Sequence, residues 1–109
     1  MRYNLAQERI LLMEEILDKG IGVTSQLEKA LDEGSGIDAL IPAFENLEPE
    51  LKKLEEYYTG KYWKIDRNLD EDGKIPKDLK RGVLSEDGIS NLLDKYGELK
   101  ESLADRKNA

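Results

Sequence analysis

Four aromatic rings fall within seven residues, at Tyr57, Tyr58, Tyr62 and Trp63, with the cations Lys61, Lys64 and Arg67 threaded among and after them. Aromatic faces interleaved with positive charge suit stacking on bases or sugars, or holding the phosphate of a partner. The same residues also make a small apolar core at the end of a helical bundle, with Trp63 and one tyrosine buried against the Ile89 face of a later helix. Burial is the preferred reading, because a ring of this size removes about 150–250 Å² from water. Residue types alone leave open whether the corner is a pocket or a filled core.

Downstream stand Asp66, the run Lys80-Arg81-Gly82 and the run Ser85-Glu86-Asp87. Ser85 as nucleophile, with Asp66, Glu86 or Asp87 as acid or base and Arg81 for a phosphoryl oxygen, would make a small hydrolase or phosphoryl-binding enzyme. The chain contains no His and no Cys, so the commonest general base is missing and Ser85 has no evident activating partner. Capping the start of a helix explains Ser85 better, its hydroxyl accepting from an orphan amide while Glu86 and Asp87 sit at the positive end of the dipole. Lys80 and Arg81 are expected to pair with Glu86, Asp87 or Asp66 and so lock a loop onto that helix. The run Asn68, Asp70, Asp72, Gly73, Ile75 copies the first half of a calcium loop. Its twelfth position is Leu79 instead of a bidentate Glu, so a solvated acidic turn is preferred to a divalent-ion site. Without Cys, disulfides and thiolate metal centres are excluded, and no cofactor or metal is called for.

The balance is 17 basic against 24 acidic residues, a net charge of -7. Residues 1–60 carry 6 basic and 13 acidic side chains, whereas residues 61–82 carry 7 and 5. Such a field repels nucleic acid and anionic lipid, so direct binding to either is not expected. The acidic groups Glu14, Glu15, Asp18, Glu45, Glu48, Glu50, Glu55 and Glu56 read as solvated helix faces, with mimicry of a phosphate backbone as an alternative. No apolar run approaches the length of a membrane span, and with no export signal visible the cytoplasm is the expected compartment.

The elements that must hold these groups follow from apolar spacing. Ile10, Met13, Leu17, Leu27 and Leu31 recur every three to four positions, with Leu5, Leu12, Ile16 and Val23 widening the face, which predicts a helix over residues 3–32 that contacts more than one neighbour. Gly20 and Gly22 weaken it and favour a kink or break there. Gly34-Ser35-Gly36 turns the chain. Leu40, Phe44, Leu47, Leu51, Leu54 and Tyr58 then predict a helix over 37–58, with Pro42 in its first turn and Pro49 expected to kink or divide it. Over 59–84 the periodicity fades, and an ordered loop with a short helical turn around 62–67 is expected. Ile89, Leu92, Leu93, Tyr96, Leu99 and Leu103 predict a last helix over 85–103, followed by a fraying polar tail.

The segment Leu54-Glu55-Glu56-Tyr57-Tyr58, followed by Trp63, Asp66, Pro76, Leu79-Lys80-Arg81-Gly82-Val83-Leu84-Ser85-Glu86-Asp87 and Leu92-Leu93, resembles the small bacterial proteins catalogued as domain of unknown function 4298. Met13-Glu14-Glu15-Ile16-Leu17 fits the same family. The resemblance implies a cytoplasmic bacterial protein with a helical fold and a pattern centred on Tyr57, Tyr58, Trp63, Asp66, Arg81, Gly82, Ser85, Glu86 and Asp87. It implies no function. The chain departs from that pattern at Thr59-Gly60, where a Gly-Ser-like pair is usual, and at Gly88, where Ala is usual.

Together these readings predict one all-α domain of 109 residues: an antiparallel helical hairpin with a C-terminal helix in its groove, forming a three-helix bundle with a loop capping one end. The preferred function is a non-catalytic module that binds a protein partner. Its candidate surface is Tyr57, Tyr58, Trp63, Asp66, Lys80, Arg81, Ser85, Glu86 and Asp87, with a homodimer through the second helix as a further expectation.

Overall fold

The computed structural model describes the backbone of residues 2–108 and the side chains of residues 4–106. Four helices follow one another: α1 (Arg2–Glu33), α2 (Ile37–Thr59), α3 (Lys61–Glu71) and α4 (Gly88–Asn108), with a single 3-10 turn at Gly82–Leu84. Among the described residues there is no strand. The molecule is a rod of 53 × 24 × 19 Å, its length set by α1, since 32 helical residues at about 1.5 Å each span most of it.

α1 and α2 form the expected hairpin, and α4 packs on both arms. The apolar ladders meet in two clusters. One holds Ala6, Ile10, Leu17, Leu51, Leu54, Ile75, Val83, Ile89 and Leu92; the other, toward the α1–α2 turn, holds Leu27, Ala30, Ile37, Phe44 and Leu99. Leu27, Leu47, Leu54 and Ile89 are fully buried, and each such side chain stabilises the fold by about 1.5–3 kcal/mol relative to exposure. Gly34 ends α1 with φ +73°, its amide and that of Ser35 both donating to the Ala30 carbonyl, at 2.8 and 3.2 Å. An L side chain there would meet a backbone it rarely adopts.

Several expectations are corrected. α1 is not divided at Gly20 or Gly22. Gly20 is where α4 comes closest: a Cβ there would lie 2.6 Å from a Leu92 methyl and 3.4 Å from Leu51. The glycine admits a neighbouring helix and does not interrupt its own. α2 begins at Ile37, so Pro42 falls in the second turn, and the helix continues past Pro49. Both prolines are at least partly exposed, so the carbonyls left without an amide donor lie near water, where the loss costs least. α4 starts at Gly88 instead of residue 85 and extends to Asn108 instead of ending at 103.

The largest correction concerns residues 59–84. In place of a loop with one short turn, α3 runs for 11 residues, making four helices where three were expected. α3 shows no apolar ladder because its one buried side chain is a carboxylate, Asp66, while Tyr62 and Ile65 are exposed. The half calcium loop is dismantled by the same helix. Asn68 and Asp70 lie within α3, Asp72 follows its last residue, and Gly73 closes it with φ +74°. Among the described residues no three potential metal ligands assemble.

Candidate interaction surface

Asp66 is fully buried. Its carboxylate accepts from Arg9 Nε at 3.1 Å, from Arg9 Nη2 at 2.5 Å and from the Tyr57 hydroxyl at 2.8 Å. Three helices therefore meet on one charged group, with α1 giving Arg9, α2 Tyr57 and α3 Asp66. A buried carboxylate costs several kcal/mol unless its oxygens are satisfied, and the bidentate Arg9 with the Tyr57 hydroxyl does this. The hydrogen bond to Asp66 draws Arg9 further toward its protonated form. Burial, with Asp66 beside it, pushes the Tyr57 hydroxyl well above the ordinary tyrosine range.

Beside this network lies the aromatic corner. Trp63 is half-buried, donates Nε1–H to the Val83 carbonyl at 2.7 Å, and meets Tyr58 edge to face with centroids 5.1 Å apart. Both rings pack against the cluster that contains Val83, Leu84 and Ile89. Tyr58 donates its hydroxyl to the Glu86 carbonyl at 2.9 Å, and Arg67, lying over Trp63 at 5.2 Å, pairs with Glu86 at 3.0 Å. The two rings are thus spent largely in packing, partly buried against that cluster. Two cavities of about 570 and 520 Å³ sit at the other end of the rod, in the α2–α4 groove and by the α1–α2 turn, and no residue of the corner lines either.

The candidate residues separate into groups that do not converge. Tyr57 joins Asp66, and Tyr58 and Trp63 join the backbone of Glu86 and Val83. Lys80 pairs with Asp18 of α1 at 2.9 Å, and Arg81 pairs with Asp70 of α3 and donates to the Pro76 carbonyl. The expected pairing of Lys80 and Arg81 with Glu86, Asp87 or Asp66 is thus replaced. Asp66 is taken by Arg9, and Lys80 and Arg81 tie the loop to α1 and α3. Ser85 Oγ donates to the Gly82 carbonyl at 2.8 Å and accepts from the Gly88 amide at 3.0 Å, which is capping geometry. Asp87 is exposed at the start of α4. Gly88 fits because a Cβ would lie 2.5 Å from the Gly82 carbonyl oxygen, so a larger residue would push this turn open.

Two residues that matter here escape a reading by type and spacing. Arg9 lies 57 positions from Asp66, and no local spacing links them. Glu14 reads as part of a solvated face, yet it is buried and accepts from the Val83 amide at 3.0 Å, tying the 3-10 turn to α1. Its place between Ile10 and Leu17 on the core stripe is the signal that marks it. Of the remaining acidic groups, Asp18, Glu48 and Glu50 are paired with Lys80, Lys100 and Lys19, while Glu15, Glu45, Glu55 and Glu56 are exposed.

What remains unsatisfied is apolar. On α1, Leu5 and Leu12 are 61 % and 53 % exposed on one side of the helix, with Leu11 and Ile21 exposed elsewhere on it, and on α3, Tyr62 and Ile65 are 46 % and 43 % exposed. Arg9 joins the two sets, since its guanidinium lies 4.6 Å from the Tyr62 ring centre and Leu5 and Leu12 stand one turn before and after it on the same side of α1. Isolated exposed leucines are ordinary, but four large apolar side chains on adjoining helix faces form a patch of the kind that marks binding sites. Among the described residues no helix is long and apolar enough to cross a membrane. No curated protein and no solved structure matches the chain. The family model described as a domain of unknown function (DUF4298) matches residues 10–105, which takes in α1 from Ile10, all of α2 and α3 and most of α4, and the chain belongs to that family.

Proposed function

We propose that the protein is a non-catalytic helical module that binds a protein partner through the face formed by α1 and α3. The observation that carries this is the apolar patch of Leu5, Leu12, Tyr62 and Ile65, mounted on the Arg9–Asp66–Tyr57 network. That network contributes no open carboxylate for chemistry. It fixes α3 against α1 and sets the angle at which Tyr62 is displayed. A hydrolase needs Asp66, Arg81, Ser85 and Glu86 in one cleft, and each is instead engaged with a separate neighbour. Acidic mimicry needs a continuous run of unpaired carboxylates, and that run is interrupted where lysines bridge Asp18, Glu48 and Glu50 and where Glu14 is buried.

The test is affinity capture from a lysate of the source organism with the tagged full chain, comparing wild type with the double variant Leu12→Glu, Ile65→Glu. Both substitutions fall at exposed positions, so the helical circular dichroism spectrum should not change. A partner retained by wild type and lost by the variant is the expected result. Equal retention by both, or turnover of a substrate by the pure protein, would end the proposal.

A further inference from the structure

We propose that the α1–α3 face docks a second copy of the chain, α1 against α1 in parallel about a two-fold axis running along the helices. This rests on the reading of that face as a docking surface and adds the identity and orientation of the occupant.

The argument is one of angular position. At about 100° per residue, Leu5 and Leu12 point in directions only about 20° apart and define a midline along exposed α1. Glu8 lies about 50° to one side of that midline and Arg9 about 50° to the other. A two-fold axis along the helices sets Leu5 on the partner's Leu5 and Leu12 on the partner's Leu12. It also places each Glu8 opposite the partner's Arg9, on both flanks. Antiparallel pairing of the same faces would instead put Glu8 beside the partner's Glu8 and Arg9 beside the partner's Arg9, so the charges select the parallel arrangement.

The groups are available for it. Glu8 is exposed. Arg9 gives Nε–H and one Nη2–H to Asp66, which leaves further donors of its five for an incoming carboxylate. α3 stands on the Arg9 flank with Lys61 close to the Tyr62 ring, so Glu8 of one copy approaches the partner's Lys61 and Tyr62 as well. The other apolar surface, the α2–α4 groove floored by stacked Phe44 and Tyr96, is concave, about 570 Å³, and partly bridged by Lys100 and Glu48. Two copies joined there would leave facing hollows, which disfavours a dimer through the second helix.

Sedimentation equilibrium of the full chain from micromolar to millimolar concentration tests the association, and Leu12→Glu should weaken it at least about 100-fold. Glu8→Arg, at an exposed site, sets like charges on both flanks and should weaken it about tenfold or more; it keeps the test open if Leu12→Glu disturbs α1. Because the chain has no cysteine, the single-thiol variants Leu5→Cys and Leu12→Cys report orientation. In the parallel arrangement each variant cross-links to its own kind under mild oxidation. Mixing the two variants gives no disulfide between them, since positions 5 and 12 stand about 10 Å apart along the axis, beyond disulfide reach. A chain that stays monomeric throughout, or a disulfide that forms preferentially between the two different variants, overturns the inference. If the monomeric chain still captures a partner in a Leu12-dependent way, the docking surface stands with a different occupant.

Discussion

Replacing Asp66 by Asn keeps the shape of the side chain and removes its charge. The amide oxygen, placed where Oδ2 now accepts from both Tyr57 and Arg9 Nε, would retain those two bonds. The amide nitrogen would then face Arg9 Nη2, donor against donor, where Oδ1 now accepts. A hydrogen bond to a charged group contributes about 1.5–3 kcal/mol, and breaking a buried ion pair costs about 3–5 kcal/mol. Asp66 is sealed but the Arg9 side chain is 26 % exposed and can turn part of its charge to water, so about 2–3 kcal/mol is the expected loss. In urea, with a slope of about 1–2 kcal/mol per molar, the midpoint should fall by about 1–3 M. Far-ultraviolet circular dichroism follows the helices, and fluorescence of the single tryptophan, Trp63, follows the corner; coincident transitions would show that the fold melts as one unit. Tyr57→Phe alone should cost about 1–2 kcal/mol, and the double variant should depart from the sum, because the Tyr57 hydroxyl and Arg9 share the same carboxyl group as acceptor. A loss below about 0.5 kcal/mol for Asp66→Asn, no more than for a surface substitution, would refute the assignment of this network as the element that holds α3 in place.

The other predictions concern the same packing. Gly20→Ala should destabilise the protein by about 1 kcal/mol net, overpacking against Leu92 outweighing the gain in helix propensity, whereas Gly22→Ala, where a Cβ meets nothing within 4 Å, should stabilise it by about 0.5–1 kcal/mol; thermal melts of the pair give both signs. Above about pH 10 the unfolded chain releases the Tyr57 proton while the folded chain, its hydroxyl pushed up by burial, retains it. Wild type should therefore lose stability relative to Tyr57→Phe by up to about 1.4 kcal/mol per pH unit, and a difference that stays flat from about pH 9 to 11 would count against a buried neutral phenol. Glu14→Ala leaves the Val83 amide without its acceptor and should cost about 1–3 kcal/mol, with hydrogen exchange rising first in the 3-10 turn.

How much of this the residues announce depends on how locally each contact is made. α1, α2 and α4 are legible because their apolar side chains repeat within a few positions, as Leu47, Leu51 and Leu54 do. α3 is not, because its one fully buried position is the carboxylate Asp66, Tyr62 and Ile65 face out, and only Trp63 and Leu69 pack partly inward, too few to form an apolar ladder. Tyr57 and Asp66 stand out as candidates, but not for one another and not with Arg9, since a partner 57 residues away leaves no trace in spacing. Glu14 misleads by its type, although its place in the ladder marks it as inward. Gly20 shows only its cost to α1 in the sequence; its use becomes visible once Leu92 of α4 stands against it. The exposed apolar patch cannot be foreseen, because an outward stripe and an inward one have the same period.

The clamp between Glu14 and the Val83 amide spans 69 positions, and Asp18 reaches 62 positions for Lys80. During synthesis the α1–α2 hairpin can zip as soon as its turn has left the ribosome, while Arg9 and Glu14 wait for acceptors and donors still to be made. For that interval the first helix displays an unneutralised guanidinium and a carboxylate with no amide to receive. The α1–α3 junction and the aromatic corner therefore stay incomplete until residues 83 to 86 have been made.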